Sequence, residues 1–410
     1  MLQTLTSQFV GCAVFFVMAS VSHAQEPLSA EKAADEKISW MDKVPKAEPI
    51  DPISDATIQE SIDRGVAFLL ESQNKDGSWG SATRTKGLNI YAPIPGAHHG
   101  FRAAVTSMCV SALIETGGDR EEVNAAIDQG EAWLFENLLR VRRASGDAMY
   151  NVWAHCYALE ALAKLRHRAE GNDEKIATIN KMVEDQFLKL DKYESVDGGW
   201  GYYDFRYQTK QPSSSSISFV NAAVLVAFDE IKKAGYTPPE KLVTRAIKAT
   251  RRQQLAGYTY LYGEYLKARP VYGINRPGGS LGRSQACNLA LRLWGAEDIT
   301  GEVITAWQHR LYSRNGWLDI GRKRPIPHEA WFSVAGYFYY FGHYYAAKSF
   351  YLVPDEADRT LFQTHMAKLM LDRQEKDGSW WDYPFYNYHQ PYGTAYALMT
   401  MRRCLSDKAE

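Results

Sequence analysis

Four single carboxylates stand in runs crowded with aromatic and basic side chains. They are Asp204 in GYYDFRYQTKQ (201–211), Glu264 in YTYLYGEYLKARPVYGINRPGG (258–279), Glu329 in GRKRPIPHEAW (321–331) and Asp382 in WDYPFYNYHQPYG (381–393). A carboxylate near a second carboxylate, or near Arg or Tyr, is equipment for glycan hydrolysis or lyase chemistry. Tyr262 and Arg283 are the candidate partners. The same stretch of chain carries Tyr202, Arg206, His328, Trp331, Tyr388 and His389, and a further run, NIYAPIPGAHHGFR (89–102), adds His98 and His99. Aromatic faces interrupted by a few polar groups describe a ligand site, on which an apolar chain can lie or a sugar can stack. No spacing rule ties the four acids together, so they are candidates rather than a motif. A tyrosine-rich plug with no ligand is the bland alternative, and the histidines taken singly read first as packed residues.

Residues so scattered need a frame that gathers them. Six segments show apolar residues at i, i+3, i+4 and i+7 with charge on the far side: 56–73, 120–139, 173–190, 240–255, 299–314 and 355–374. That is the mark of amphipathic surface helices. Between them lie segments apolar nearly all round and rich in small residues: 101–117, 152–165, 217–231, 282–295, 329–348 and 392–405. A helix apolar on every side is buried on every side. Strict alternation of the two classes predicts an all-α protein, an α/α toroid of about six helix pairs with an inner ring inside an outer one. An open solenoid would need polar capping repeats at its ends, and 392–405 is as apolar as the middle members. In a toroid the runs that precede the inner helices converge on one mouth.

Two outer helices end in nearly the same words, QNKDGSWG (73–80) and QEKDGSWW (374–381). Gly77 and Gly378 suit a positive φ, and Asp76 and Asp377 suit the same turn. Gln73 and Gln374 offer donor and acceptor to orphan backbone groups, while Trp79 and Trp380 bring flat apolar area to clamp one repeat on the next. VDGGWGYYDF (Gly198, Gly199, Trp200) and RNGWLDIG (Gly316, Trp317) read as degenerate copies.

Q-x-x-x-G-x-W resembles the QW motif of the prenyltransferase and squalene oxidase repeat superfamily, which includes squalene and oxidosqualene cyclases and the β subunits of protein prenyltransferases. The resemblance covers about residues 55 to 405. It implies a toroid whose central cavity lies near the N-termini of the inner helices, and a structural role for the QW residues. The cyclases' Asp-rich acid motif has no counterpart on any inner helix, so protonation of an alkene is not expected. From the zinc-binding prenyltransferases the resemblance offers weak candidates only, His155 in WAHCYALEAL and Cys287 in GRSQACNLAL. Gln285 stands where that family places an Asp, and an amide is a poor zinc ligand, so no metal is expected. Six-pair toroids also include glycosidases and polysaccharide lyases. The glycan reading of Asp204, Glu264, Glu329 and Asp382 therefore stays open beside an isoprenoid-like ligand, and beside a scaffold with no catalysis.

The formal net charge of −1 on 410 residues gives no electrostatic case for nucleic acid. No cofactor is expected, and the expected partner is a small molecule. An apolar run from about Phe9 to Val21, followed by Ser22-His23-Ala24, predicts a signal peptide over residues 1–24 and export to the periplasm or medium. Its amino end lacks Lys and Arg, so an uncleaved anchor is the other reading. No later stretch approaches the roughly 20 apolar residues of a spanning helix. Residues 25–53, charged and Pro-punctuated, read as a flexible lead-in to a toroid domain over 54–410. Cys109, Cys156, Cys287 and Cys404 sit in apolar helical settings and are expected as buried thiols.

Overall fold

A computed structural model of the chain describes residues 40–86, 95–204 and 216–406. The signal-peptide expectation and Arg206 lie outside the described residues. The chain divides into a unit over Met1–Asp42, of which only Trp40–Asp42 are described, and a unit over Lys43–Glu410.

The second unit is built of helix pairs. The outer members are α1 (Asp55–Glu71), α3 (Glu121–Asn137), α5 (Asp173–Tyr193), α7 (Glu240–Arg252), α9 (Gly301–Ser313) and α11 (Glu356–Leu371). The inner members are α2 (Pro95–Thr116), α4 (Val152–Arg168), α6 (Ser218–Lys233), α8 (Leu281–Leu293), α10 (Phe338–Ala347) and α12 (His389–Arg402). All ten residues of α10 are buried, against five of thirteen in α7, which assigns the two to opposite layers. Each inner helix packs on the next in order, and α12 packs back on α2, so the inner ring closes. An α/α toroid of six pairs is what the alternation implied. Among the described residues the sheet content is a two-residue antiparallel ladder, Gln254↔Tyr260 and Leu255↔Thr259.

The Gln-Gly-Trp stretches fasten neighbouring outer helices. Gln73 Nε2 donates to the carbonyls of Gly77 and of Ala126 on α3, at 2.9 Å each. Trp79 Nε1 donates back to Leu69 at 2.7 Å. At the other end of the chain Gln374 Nε2 donates to Gly378 and to Ser61 on α1, and Trp380 Nε1 to Met370 at 2.8 Å. The first stretch therefore ties α1 to α3, and the second ties α11 to α1. Gly77 and Gly378 share φ +86°, and a Cβ there would lie 2.4 Å from the Gln129 carbonyl oxygen or 2.5 Å from that of Arg64. Trp200 repeats the pattern, donating to Leu190 at 2.8 Å, with Glu194 in the Gln position held by Arg245 of α7 at 2.7 Å.

Three expectations need correction. Gly316-Trp317 is no copy of the clamp. Asn315, at φ −54°, stands two before the Trp where the clamp has its positive-φ glycine; the segment continues as a helical turn, Gly316–Asp319, and Trp317 packs on Phe332. The inner helix expected over 329–348 begins only at Phe338, because Phe332 and Ser333 take φ of +59° and +54°. The lead-in is also docked over its last part. Val44 and Ala47 are buried, Ala47 N–H donates to His309 Nδ1 at 3.2 Å, and His365 bonds the Glu48 carbonyl at 2.7 Å. Cys109, Cys156, Cys287 and Cys404 are free and buried, as packed thiols should be.

Candidate ligand cavity

An outer helix returns the chain after every inner one, so the inner helices run the same way and their N-terminal turns meet at one end of the ring. A cavity opens there, with an empty volume of about 930 Å³ counted out into its mouth. Its wall is made by Phe101, Ala104, Val105 and Met108 of α2, Trp153 and Tyr157 of α4, Phe219 of α6, Phe338 and Phe341 of α10, and Tyr392 and Tyr396 of α12. Tyr150, Tyr202, Tyr337, Tyr383, Phe385 and Tyr388 complete it from the segments before those helices. Fourteen of these seventeen residues are aromatic and none is charged. Many rings meet edge to face, as Phe219 does with Phe338 at 5.0 Å and Phe101 with Phe385 at 4.7 Å, the arrangement their quadrupoles favour.

The wall is lined with hydroxyls that satisfy one another. Tyr157 bonds Tyr396, Tyr202 bonds Tyr262 behind it, and Tyr388 donates to the His98 carbonyl at 3.2 Å. Largely buried ion pairs cross the opposite end of the ring. Arg403 reaches Glu115 at 2.8 Å, Lys164 reaches the same carboxylate at 3.4 Å, and Lys348 bridges Glu230 at 2.7 Å and Glu160 at 3.6 Å. Three bases face three acids there, and a second pocket, lined in part by Glu230, Lys233, Lys348 and Arg403, opens beside them.

Asp382 is the acid that reaches the cavity, and it does so at second hand. It is fully buried, accepting from Tyr392 Oη at 2.6 Å and from the Tyr340 amide at 3.1 Å. Burial pushes its carboxyl up to about 7, against the pull of both hydrogen bonds. The amide contact places it at the N-terminus of α10, which explains its position without any ligand. Its hydrogen bond from Tyr392 links it to the cavity wall.

The other candidate acids do not join it. Asp204 is buried against Arg143 at 2.6 Å, Glu264 is gripped by Arg252 at 2.6 Å, and Glu329 is on the surface, 3.9 Å from Arg324. None of the three lines the cavity. Of the expected ligand-binding residues, Tyr202 and Tyr388 are in the wall. Tyr262 stands behind Tyr202. Arg283 is buried and donates to the carbonyls of Tyr260, Gly279 and Ile274, so its guanidinium holds the loop before α8. Burial depresses it to about 10. His328 donates from Nδ1 to the Ser333 carbonyl at 2.7 Å and accepts from Tyr337 Oη at 2.9 Å, bracing the wall from outside. His389 donates to Tyr386 at 2.7 Å beside Trp381, and Trp331 is 72% exposed.

His155 and Cys287 do not come together as metal ligands. His155 donates to Gln186 at 2.7 Å and pairs with Asn151 at 3.0 Å, and burial lowers it to about 3. Burial raises the Cys287 thiol to about 12, where thiolate is scarce. No group of three His, Cys, Asp or Glu is placed to hold a metal among the described residues. The wall residues on the inner helices went unpredicted, though aromatics spaced i, i+4 in early turns, Trp153/Tyr157 and Tyr392/Tyr396, were the available signal.

No family model and no curated protein matches the sequence. Solved structures do. A variant of the type II terpene cyclase MstE from Scytonema, in complex with merosterolic acid A (product), shares 14% identity at TM-score 0.51, over 85% of this chain and 97% of that one. Another MstE variant, in complex with geranylgeranyl dihydroxybenzoate (substrate), is 15% identical at 0.51 over the same shares. D-mannose isomerase is 12% identical at TM-score 0.53, over 87% of this chain and 98% of that one. Cellobiose 2-epimerase from Bacillus thermoamylovorans is 11% identical at 0.53, over 85% and 100%. At such identities the likeness speaks for architecture alone, and the architecture is the α/α toroid.

Proposed function

We propose that this chain is an exported toroid of the prenyltransferase and squalene oxidase repeat group that binds an elongated, isoprenoid-like ligand in its aromatic cavity. The observation that carries the reading is the wall: fourteen aromatic residues, three aliphatic ones and no charge among the described residues. Burying apolar ligand surface gains about 25 cal/mol per Å², and ring faces can also hold positive charge developing on a hydrocarbon. Geranylgeranyl dihydroxybenzoate in the MstE complex is a molecule of this class. A glycan-cleaving site wants two carboxyl groups roughly 5–10 Å apart with room for water between them. Among the described residues no carboxylate lines the cavity, and Glu264 and Asp204 are each committed to an arginine.

The test is calorimetric titration of the purified chain with geranylgeraniol, and separately with cellobiose and D-mannose. Geranylgeraniol should bind, and Phe341→Trp, which fills the cavity, should weaken it tenfold or more. Binding of either sugar with none of geranylgeraniol would overturn the proposal, as would unchanged affinity in a folded Phe341→Trp chain.

A further inference from the structure

Beside the mouth two segments carry apolar side chains that stand exposed among the described residues. Residues 264–277 and 326–333 lie together, with the Phe332 ring packed over Gly278 and its backbone against Gly273. Between them runs a shallow groove lined by Val271, Tyr272 and Trp331, with Arg269 and Arg276 on it. Trp331 is 72% exposed, Val271 71%, Tyr265 54%, Tyr272 49% and Ile326 44%. These are five of the ten large apolar residues exposed on the described surface, so the exposure is a patch and not scatter.

The backbone makes the exposure costly. His328, Phe332 and Ser333 hold φ of +64°, +59° and +54°, each a strain of about 1 kcal/mol or more, and between them stands an indole facing water. The charge around it is lopsided. Glu264 and Glu329, the acids of the two segments, are matched by Arg252 and Arg324. Lys267, Arg269 and Arg276 are exposed and make no ion pair among the described residues. Trp and Tyr set among surplus Lys and Arg is the chemistry of the headgroup region of a bilayer, and unpaired cations select anionic lipid.

We propose that residues 264–277 and 326–333 form a docking surface for anionic lipid bilayers, with Trp331, Val271 and Tyr272 entering the headgroup layer and Lys267, Arg269 and Arg276 meeting its phosphates. The surface adjoins the cavity through His328, which bonds the wall residue Tyr337. Docking stands independently of the cavity's ligand. No helix among the described residues is long and apolar enough to cross a membrane, so attachment at this surface is peripheral.

Hydrogen–deuterium exchange of the full chain reads the patch locally, whatever the N-terminal residues do. Peptides covering 264–277 and 326–333 should be protected on phosphatidylcholine vesicles containing phosphatidylglycerol, and much less on phosphatidylcholine alone or at high salt. In the double variants Trp331→Ser/Val271→Ser and Arg269→Glu/Arg276→Glu, both checked as folded by circular dichroism, that protection should fall tenfold or more. Three results would overturn the proposal: peptides unprotected on anionic vesicles, protection untouched in both folded variants, or protection without lipid that grows with protein concentration, which marks a second copy as the occupant.

Discussion

At the scale of single residues the cavity depends on keeping charge out of its wall, and Asp382 shows what one buried carboxyl costs. Its ordinary value is 3.8 and burial raises it to about 7. Between those pH values the folded chain binds a proton that the unfolded chain has released. Stability from this group is therefore full below pH 3.8 and is lost as pH rises toward 7, at up to about 1.4 kcal/mol per pH unit. Asp382→Asn should be less stable overall, because Tyr392 and the Tyr340 N–H donate to different carboxylate oxygens and the variant puts an NH2, which cannot accept, in place of one of them. Its deficit should nevertheless shrink between pH 5 and pH 8 by roughly 1–3 kcal/mol in urea denaturation, since the variant has no proton to lose there. His155 and His343 titrate in both chains and cancel. A deficit that is the same at both pH values would mean Asp382 titrates normally. The sequence made Asp382 visible as an acid among tyrosines but could not show which neighbours were cavity and which were braces. Arg283, His328 and Glu264 carry the same polar groups that a ligand site uses, and in the fold each is consumed by the backbone or by a counter-charge. Tyr202 and Tyr388 were legible because their rings suit a wall from either direction.

At the scale of elements the repeat was readable because its signals are local. Gln73 with Trp79 and Gln374 with Trp380 make the same hydrogen bonds in the fold as they have the same spacing in the chain. The mistaken copy, Gly316-Trp317, has the residue types without that spacing. The two glycines make a paired experiment. A Cβ at Gly378 meets the Arg64 carbonyl and sits at positive φ, whereas at Gly316 it meets nothing within 4 Å. Gly378→Ala should lose roughly 1–3 kcal/mol of unfolding free energy. Gly316→Ala, at the start of a helical turn, should change it by less than about 0.5 kcal/mol or stabilise slightly. Equal losses at the two sites would remove the clamp from the account of how α11 holds α1. The inner helices hid the cavity for a related reason. A helix apolar on all sides looks the same in sequence whether every face meets protein or one face, such as Trp153/Tyr157, meets an empty space.

At the scale of the whole molecule what matters is closure, because a cavity walled by α2, α4, α6, α10 and α12 exists only if the last repeat finds the first. Closure is made at several levels: α12 packs on α2 and α1, Gln374 grips Ser61, and Ser406 Oγ donates to the Asp55 carboxylate at 3.0 Å. All these contacts join residues more than 270 positions apart, which is why no local pattern could state them. The two ends of the described toroid are thus adjacent, and the order of repeats around the ring should be free to rotate. A circular permutant can join Ser406 to Asp51 by a short flexible linker and open the chain in the exposed turn at Glu170–Gly171. It moves the α12–α1 contacts from the most distant in sequence to among the nearest. It should unfold in one cooperative transition within about 2 kcal/mol of the parent and keep its geranylgeraniol affinity within threefold. An open superhelix would respond differently, since joining its ends would stretch the linker across the whole array and force association between chains. A permutant that is monomeric but binds nothing would show that closure and cavity are separable, against the geometry in which the closing inner helices α12 and α2 are also wall.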